Sequence, residues 1–88
     1  MAAKTVTVVN EQGLHMRPAG ILAKAAAAHK ECKTTLHVNG REVNAKAVMQ
    51  IMSAGIKCGT QVEIVCEGEM EQEVLDEIAG MFAEGFGE

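Results

Sequence analysis

The chain is predicted to fold as an α/β protein of the α+β kind: a two-layer, open-faced sandwich with three helices on one face of a four-stranded antiparallel sheet. The predicted order is β-α-β-β-α-β-α, as one domain over residues 1–88. Three observations carry this expectation. Short runs alternate apolar and polar residues with period two, as strands buried on one face do. Longer runs rich in Ala, Leu and Met repeat every three to four residues, as helices packed on a sheet do. The dipeptide Asn39-Gly40 stands between two strand-like runs, and Asn-Gly is the pair best suited to the two positive φ values of a type I′ hairpin turn.

Taken in order, residues 3–9 (AKTVTVV) set Val6 and Val8 against Thr5 and Thr7, the pattern of a half-buried strand. Asn10 to Gly13 punctuate. Met16 to Ala28 (MRPAGILAKAAAA) is a helix with Ile21, Leu22, Ala25 and Ala26 on one side. Pro18 marks its start, because a first-turn N–H has no partner within the helix and its loss costs nothing. His15 then falls at the N-cap. Lys33–Val38 and Arg41–Asn44 form the hairpin, and Ala47–Ala54 a short helix with Val48, Met49 and Met52 on neighbouring faces, stopped by Gly55. Thr60–Glu67 alternates Val62, Ile64 and Cys66 against Gln61, Glu63 and Val65. Glu69–Glu84 closes the chain as a helix with Leu75, Ile78, Ala79 and Phe82 inward, acidic residues in its first turns and Gly85 as its stop.

Composition narrows the function classes. Eight Lys and Arg against twelve Asp and Glu give a formal net charge of -4, the opposite of the basic footprint that neutralises nucleic-acid phosphates. No apolar run approaches the roughly 18 to 20 residues of a membrane span, and the first residues lack a secretion-signal layout. A cytoplasmic protein, not inserted in a membrane and of a size suited to a monomer, is expected. Cys32, Cys58 and Cys66 match neither a disulfide framework nor a zinc-site spacing, and are read as reduced, buried or half-buried thiols. His29 and His37 have no Cys or carboxylate at ligand spacing, and the acidic cluster from Glu67 to Glu77 has no calcium-loop pattern. No metal and no cofactor are expected. A P-loop, a Ser-His-Asp candidate set and a metal cluster are also missing, which speaks against a free-standing kinase or hydrolase.

The segment with chemical character is GLHMRPAG at residues 13–20. Unpaired N–H groups and the positive end of the dipole converge at a helix N-terminus and make a ready anion site. A histidine there is a nucleophile beside an anion cradle. A phosphoryl group on His15 would place its oxygens near the N–H groups of Met16 and Arg17, and the guanidinium of Arg17 matches phosphate oxygens with a planar fork of donors. Gly13 gives the preceding loop the freedom to turn tightly. Spacing alone leaves open a plainer role, His15 as a polar cap and Arg17 as solvated surface.

This segment resembles the active-site signature of the HPr family, phosphocarriers of the bacterial phosphoenolpyruvate-dependent sugar phosphotransferase system, which read G-[LI/M]-H-x-R-P-A. The likeness extends over the whole chain through Asn39-Gly40, the stretch VNAKAVMQIMSAGIKCGT at residues 43–60 and the Glu-Gly turn into the last helix. It implies that His15 takes a phosphoryl group on Nδ1 from phosphorylated Enzyme I, assisted by Arg17. An enzyme IIA domain of a sugar transporter would then receive it. The protein would be a carrier and not itself an enzyme. Many members also have a regulatory serine in a K-S-[IL]-M pattern, phosphorylated by an ATP-dependent kinase; here the pattern is Lys46-Ala47-Val48-Met49, so the acceptor hydroxyl is absent. Ser53 does not match that site. Met16, larger than the family's usual residue there, is expected to join Ala19, Val48, Met49 and Met52 in an apolar docking patch for Enzyme I and enzyme IIA domains. Methionine suits a surface that fits two partners in turn. A regulatory docking module that has lost transfer is the competing function, and the presence of both His15 and Arg17 speaks against it. A nitrogen-regulatory carrier would differ in pathway and not in chemistry.

Overall fold

The computed structural model describes residues 1–88. Its elements are β1 (Ala2–Thr7), α1 (Met16–Ala28), β2 (Cys32–Val38), β3 (Arg41–Asn44), α2 (Val48–Ser53), β4 (Gln61–Gly68) and α3 (Glu71–Ala83), followed by a 3₁₀ turn at Gly85–Gly87. The order is the expected one. The four strands form a single sheet in the order β1-β4-β2-β3, every pairing antiparallel.

Alternation along the strands decides which sheet face is covered. Val62, Ile64 and Cys66 of β4 are buried while Gln61, Glu63 and Glu67 are exposed; in β2, Thr34 and Leu36 point to the same core as Ile64. Leu36 pairs with Ile64 on one side and Val43 on the other, at the centre of the sheet. Onto this face the helices place Leu22, Ile51, Ile78 and Phe82, all fully buried. Each such side chain is worth about 1.5–3 kcal/mol relative to exposure. The other face is polar, and β2 and β4 set Lys33 opposite Glu67, an opposite-charge cross-strand pair that suits a solvated sheet, with His37 opposite Glu63. The buried hydroxyl of Thr34 lies 3.8 Å from Cys66 Sγ, and burial pushes the Cys66 thiol up from its ordinary value.

Local chemistry sets several boundaries as expected. Asn39 and Gly40 both have positive φ, 53° and 73°, and join β2 to β3. Gly55, at φ 66°, ends α2. The Asn39 side chain donates to Ala54 O (3.2 Å) and Arg41 donates to Ser53 O (3.0 Å), so the hairpin caps the last carbonyls of α2.

Other expectations need correction. The first strand stops at Thr7, because Val8 donates to Thr60 O and Gly59 donates to Val8 O, bonds to a loop in place of a ladder. The third helix starts at Glu71, two residues late. Glu69 N is spent on Glu31 O (3.1 Å), and Met70 is left-handed at φ 56°, while Glu71 Oε1 accepts from Gly68 N (3.2 Å). A Cβ on Gly68 would lie 2.2 Å from Glu31 O, so only glycine permits that close approach. In α1 the buried stripe is Ala19, Leu22, Ala23 and Ala26, with Ile21 and Ala25 half-buried, a rotation by about one residue from the predicted face. Of the cysteines, Cys32 and Cys66 are buried but Cys58 is exposed.

Candidate functional site

The site forms where the β1–α1 loop meets the end of the chain. Gly13 makes the loop possible. It has φ 69°, its N–H donates to Asn10 O (2.9 Å), and a Cβ there would sit 2.2 Å from Ile56 O. The next residue, Leu14, donates to the same Ile56 oxygen (2.9 Å) and buries its side chain. This pins the loop to the segment after α2 and leaves the following residue at the edge. His15 is the N-cap of α1, with extended backbone (φ −80°, ψ −168°), and its carbonyl accepts the first helical bond from Ala19 (3.0 Å). No side chain caps this helix end. The N–H groups of Met16 and Arg17 open the helix with no carbonyl a turn earlier to bond, so they face outward as unspent donors.

The His15 side chain is 38% exposed, and its Nε2 lies 3.0 Å from Oε1 of Glu88. A carboxylate only accepts, so the ring nitrogen donates, and the neutral ring then carries its lone pair on Nδ1. Arg17 Nε is 3.9 Å from Oε2 of the same carboxylate, with a side chain 74% exposed and free to swing. Asn10 is buried; its Nδ2 donates to Gly85 O (2.8 Å) and to Glu88 Oε1 (3.3 Å), while its Oδ1 has no partner. His15, Asn10 and Glu88 line a cleft of about 510 Å³ whose wall also includes Glu11 and Glu84.

Glu88 reaches this place because the chain turns back after α3. Gly85 (φ 63°) breaks the helix, and Phe86, itself left-handed at φ 55°, enters the core to meet Phe82 edge to face with centroids 4.9 Å apart. The left-handed conformation costs about 1–2 kcal/mol. Burial of Phe86 returns roughly 1.5–3 kcal/mol and the aromatic pair about 0.5–1.5 more, so the turn is held.

Of the residues singled out in the sequence, His15, Met16 and Arg17 come together here. The helix α2 packs beside α1, and Met16 (65% exposed) and Met49 (74%) stand out from the two helices with Val48 and Met52 half-buried. Ala19 does not belong with them. It is 0% exposed, on the face of α1 turned to the core four residues after His15, which corrects its expected place in a docking patch. Ala47 is the uncapped N-cap of α2, and Ser53 donates to Gln50 O (3.1 Å) as an ordinary helix-surface residue. His29, at the other end of α1, pairs with Glu77 (2.9 Å), and His37 lies 3.9 Å from Glu42. No three His, Cys, Asp or Glu side chains gather as a metal site, and no helix is long and apolar enough to cross a membrane.

Sequence reasoning missed Asn10, read only as turn punctuation, and Glu88, not singled out at all. The one available signal was Phe86, a large apolar residue between two glycines past a helix stop, which suggests a return to the core.

Comparison with known proteins bears on the same residues. The family model described as "PTS HPr component phosphorylation site" matches residues 2–84. The phosphocarrier protein HPr of Treponema pallidum is 38% identical over 88 residues, covering 100% of this chain and 99% of its own. Among solved structures, HPr-C-His from Thermoanaerobacter tengcongensis is 32% identical with a TM-score of 0.94, over 100% of this chain and 98% of that one. An HPr dimer from the same organism has a TM-score of 0.77 at 32% identity and 100% coverage of both chains. A likeness that holds in sequence from the first strand to the last helix, and in backbone over the full length, settles the fold and the kinship together: the chain belongs to the HPr family, the phosphocarriers of the phosphotransferase system.

Proposed function

We propose that His15 is the phosphoacceptor, that phosphorylated Enzyme I is the donor, and that an enzyme IIA domain is the recipient. The observation that carries this reading is the placement of a half-exposed imidazole at a helix N-terminus whose first N–H groups have no other partner. The lone pair on Nδ1 attacks phosphorus. The new P–N bond forms as the donor's bond to phosphorus breaks, with its electron pair returning to the donor. Met16 and Arg17 bind the phosphoryl oxygens, the first through its backbone N–H and the second through N–H and guanidinium. A phosphorus–nitrogen bond keeps its transfer potential, so the step reverses toward the next acceptor.

In this reading the protein is a carrier and its partners supply catalysis, in the cytoplasm and with no cofactor of its own. Met16, Val48, Met49 and Met52 form the docking surface beside His15. The protein works as a monomer, which light scattering of the free and phosphorylated forms tests against the dimeric relative. The central experiment is incubation with Enzyme I and labelled phosphoenolpyruvate. One acid-labile phosphoryl group per chain is expected, absent from His15→Ala; undiminished labelling of that variant overturns the assignment.

A further inference from the structure

We propose that Glu88 is a positioning residue that keeps the proton on Nε2 of His15 through both halves of the transfer. The inference rests on His15 as the phosphoacceptor. In the resting protein the carboxylate, 3.0 Å from Nε2, accepts that N–H and so leaves the lone pair on Nδ1. When Nδ1 takes the phosphoryl group the ring becomes cationic, its charge shared between P–Nδ1 and Nε2–H, and the same carboxylate compensates it. On donation the electron pair of the P–Nδ1 bond returns to the ring, which leaves as neutral imidazole because Nε2 has kept its proton. Without the carboxylate the phosphorylated ring loses that proton more easily, and the leaving group becomes an imidazolate anion, a poor one.

Two features support a built contact. Asn10, buried under the cleft, donates to both Glu88 Oε1 and the Gly85 carbonyl and so fixes the carboxylate. Phe86 anchors the turn that delivers it. The other charged groups around the cleft are Glu11 and Glu84 in its wall and Arg17 beside the second carboxylate oxygen; Lys57, exposed, lies on the loop packed against Gly13. Of these only Glu88 bonds the ring. The contact lies partly open to water, which moderates its effect.

Glu88→Gln tests this. Donation from the phosphorylated protein to an enzyme IIA domain, followed against pH, should fall away earlier on the alkaline side than in the parent, about 3- to 10-fold slower near pH 8 and little changed near pH 6. Glu11→Gln and Glu84→Gln should leave the profile in place. A uniform slowing at every pH, or a shift shared by all three variants, overturns the proposal. A faster Glu88→Gln overturns it in favour of a blocking contact. Nitrogen-15 shifts of His15 in the free protein provide a readout without any partner: the neutral ring should carry its proton on Nε2, and a proton on Nδ1 overturns the proposal. If labelling survives His15→Ala while the ring shows the Nε2 proton, the phosphoacceptor reading fails and the contact alone stands.

Discussion

The two ends of α1 carry nearly the same pair of side chains in opposite electrostatic settings. His15 at the N-terminal end and His29 at the C-terminal end each hold a glutamate oxygen at Nε2, at 3.0 and 2.9 Å. Both glutamates come from late in the chain. Carboxylate pairing therefore does not distinguish the proposed phosphoacceptor from His29. The helix end does: beyond His15 lie the unspent N–H groups of Met16 and Arg17, whereas around His29, whose own N–H donates to Ala26 O, the last carbonyls of the helix point outward. The first end attracts an anion and the second repels one.

The largest expected effect breaks the pair apart. His15→Ala should remove Enzyme I-dependent labelling entirely, while His29→Gln should leave it within about twofold of the parent and cost at most about 1 kcal/mol of stability for the exposed pair. Labelling assays on the two variants check this side by side. Equal losses from both would mean that helix polarity is not what selects the site.

That contrast also shows what the sequence made legible. The start of α1, the His15 N-cap and the Asn39-Gly40 turn were readable because proline and Asn-Gly act on their own φ and ψ. Other boundaries were less so. The end of β1 and the start of α3 depend on bonds to Gly59 and Glu31, residues distant in sequence. The same holds within the site. His15 and Arg17 are adjacent in the chain, but Glu88 is 73 residues from His15 and reaches it only because Phe86 enters the core. Ala19 shows the converse error, since nearness in sequence to His15 said nothing about which way a residue one helical turn on would face.

Arg17 sharpens the comparison next, because nothing like it stands at the His29 end. With its guanidinium largely in solvent and only 3.9 Å from Glu88, Arg17→Ala should leave the melting temperature within a degree or two. It should slow phosphoryl transfer about 10- to 100-fold, the loss of one charge-assisted donor at a developing anion. A normal rate in stopped-flow transfer from Enzyme I would assign phosphate binding to the backbone alone.

The apolar surface beside His15 gives a smaller effect. Met49→Glu places a charge on an exposed side chain, and should raise the apparent KM for Enzyme I several-fold with little change in melting temperature. Ala19→Leu should do the reverse, overpacking the α1 core by about 1–3 kcal/mol and leaving transfer by the folded fraction unaltered. A melting temperature for Met49→Glu as low as that of Ala19→Leu would place the methionine in the core and remove the docking surface.

The smallest effect compares the N-terminus of α1 with that of α2. Neither has a side-chain cap, and at α1 this leaves the first backbone donors unspent. At α2 the N-cap is Ala47, with extended backbone (φ −112°, ψ 101°) suited to a serine or threonine whose hydroxyl oxygen would accept from an N–H of the first turn. Ala47→Ser should therefore stabilise the protein by about 0.5–1 kcal/mol, read as a rise in the denaturation midpoint with unchanged slope. The new hydroxyl would stand between Lys46 and the Val48-Met49 pair in the pattern that the family's kinases modify. The parent should gain no acid-stable phosphate from such a kinase and ATP, whereas the variant should gain one. Once phosphorylated, the serine would bring close to two negative charges to the proposed docking face, and transfer from Enzyme I should slow, while an unmodified Ala47→Ser protein transfers at the parental rate. Acid-stable phosphate on the parent at Ser53 would show that the hydroxyl bonded to Gln50 O can leave the helix surface, and that α2 accepts modification without a residue at its N-cap to receive it.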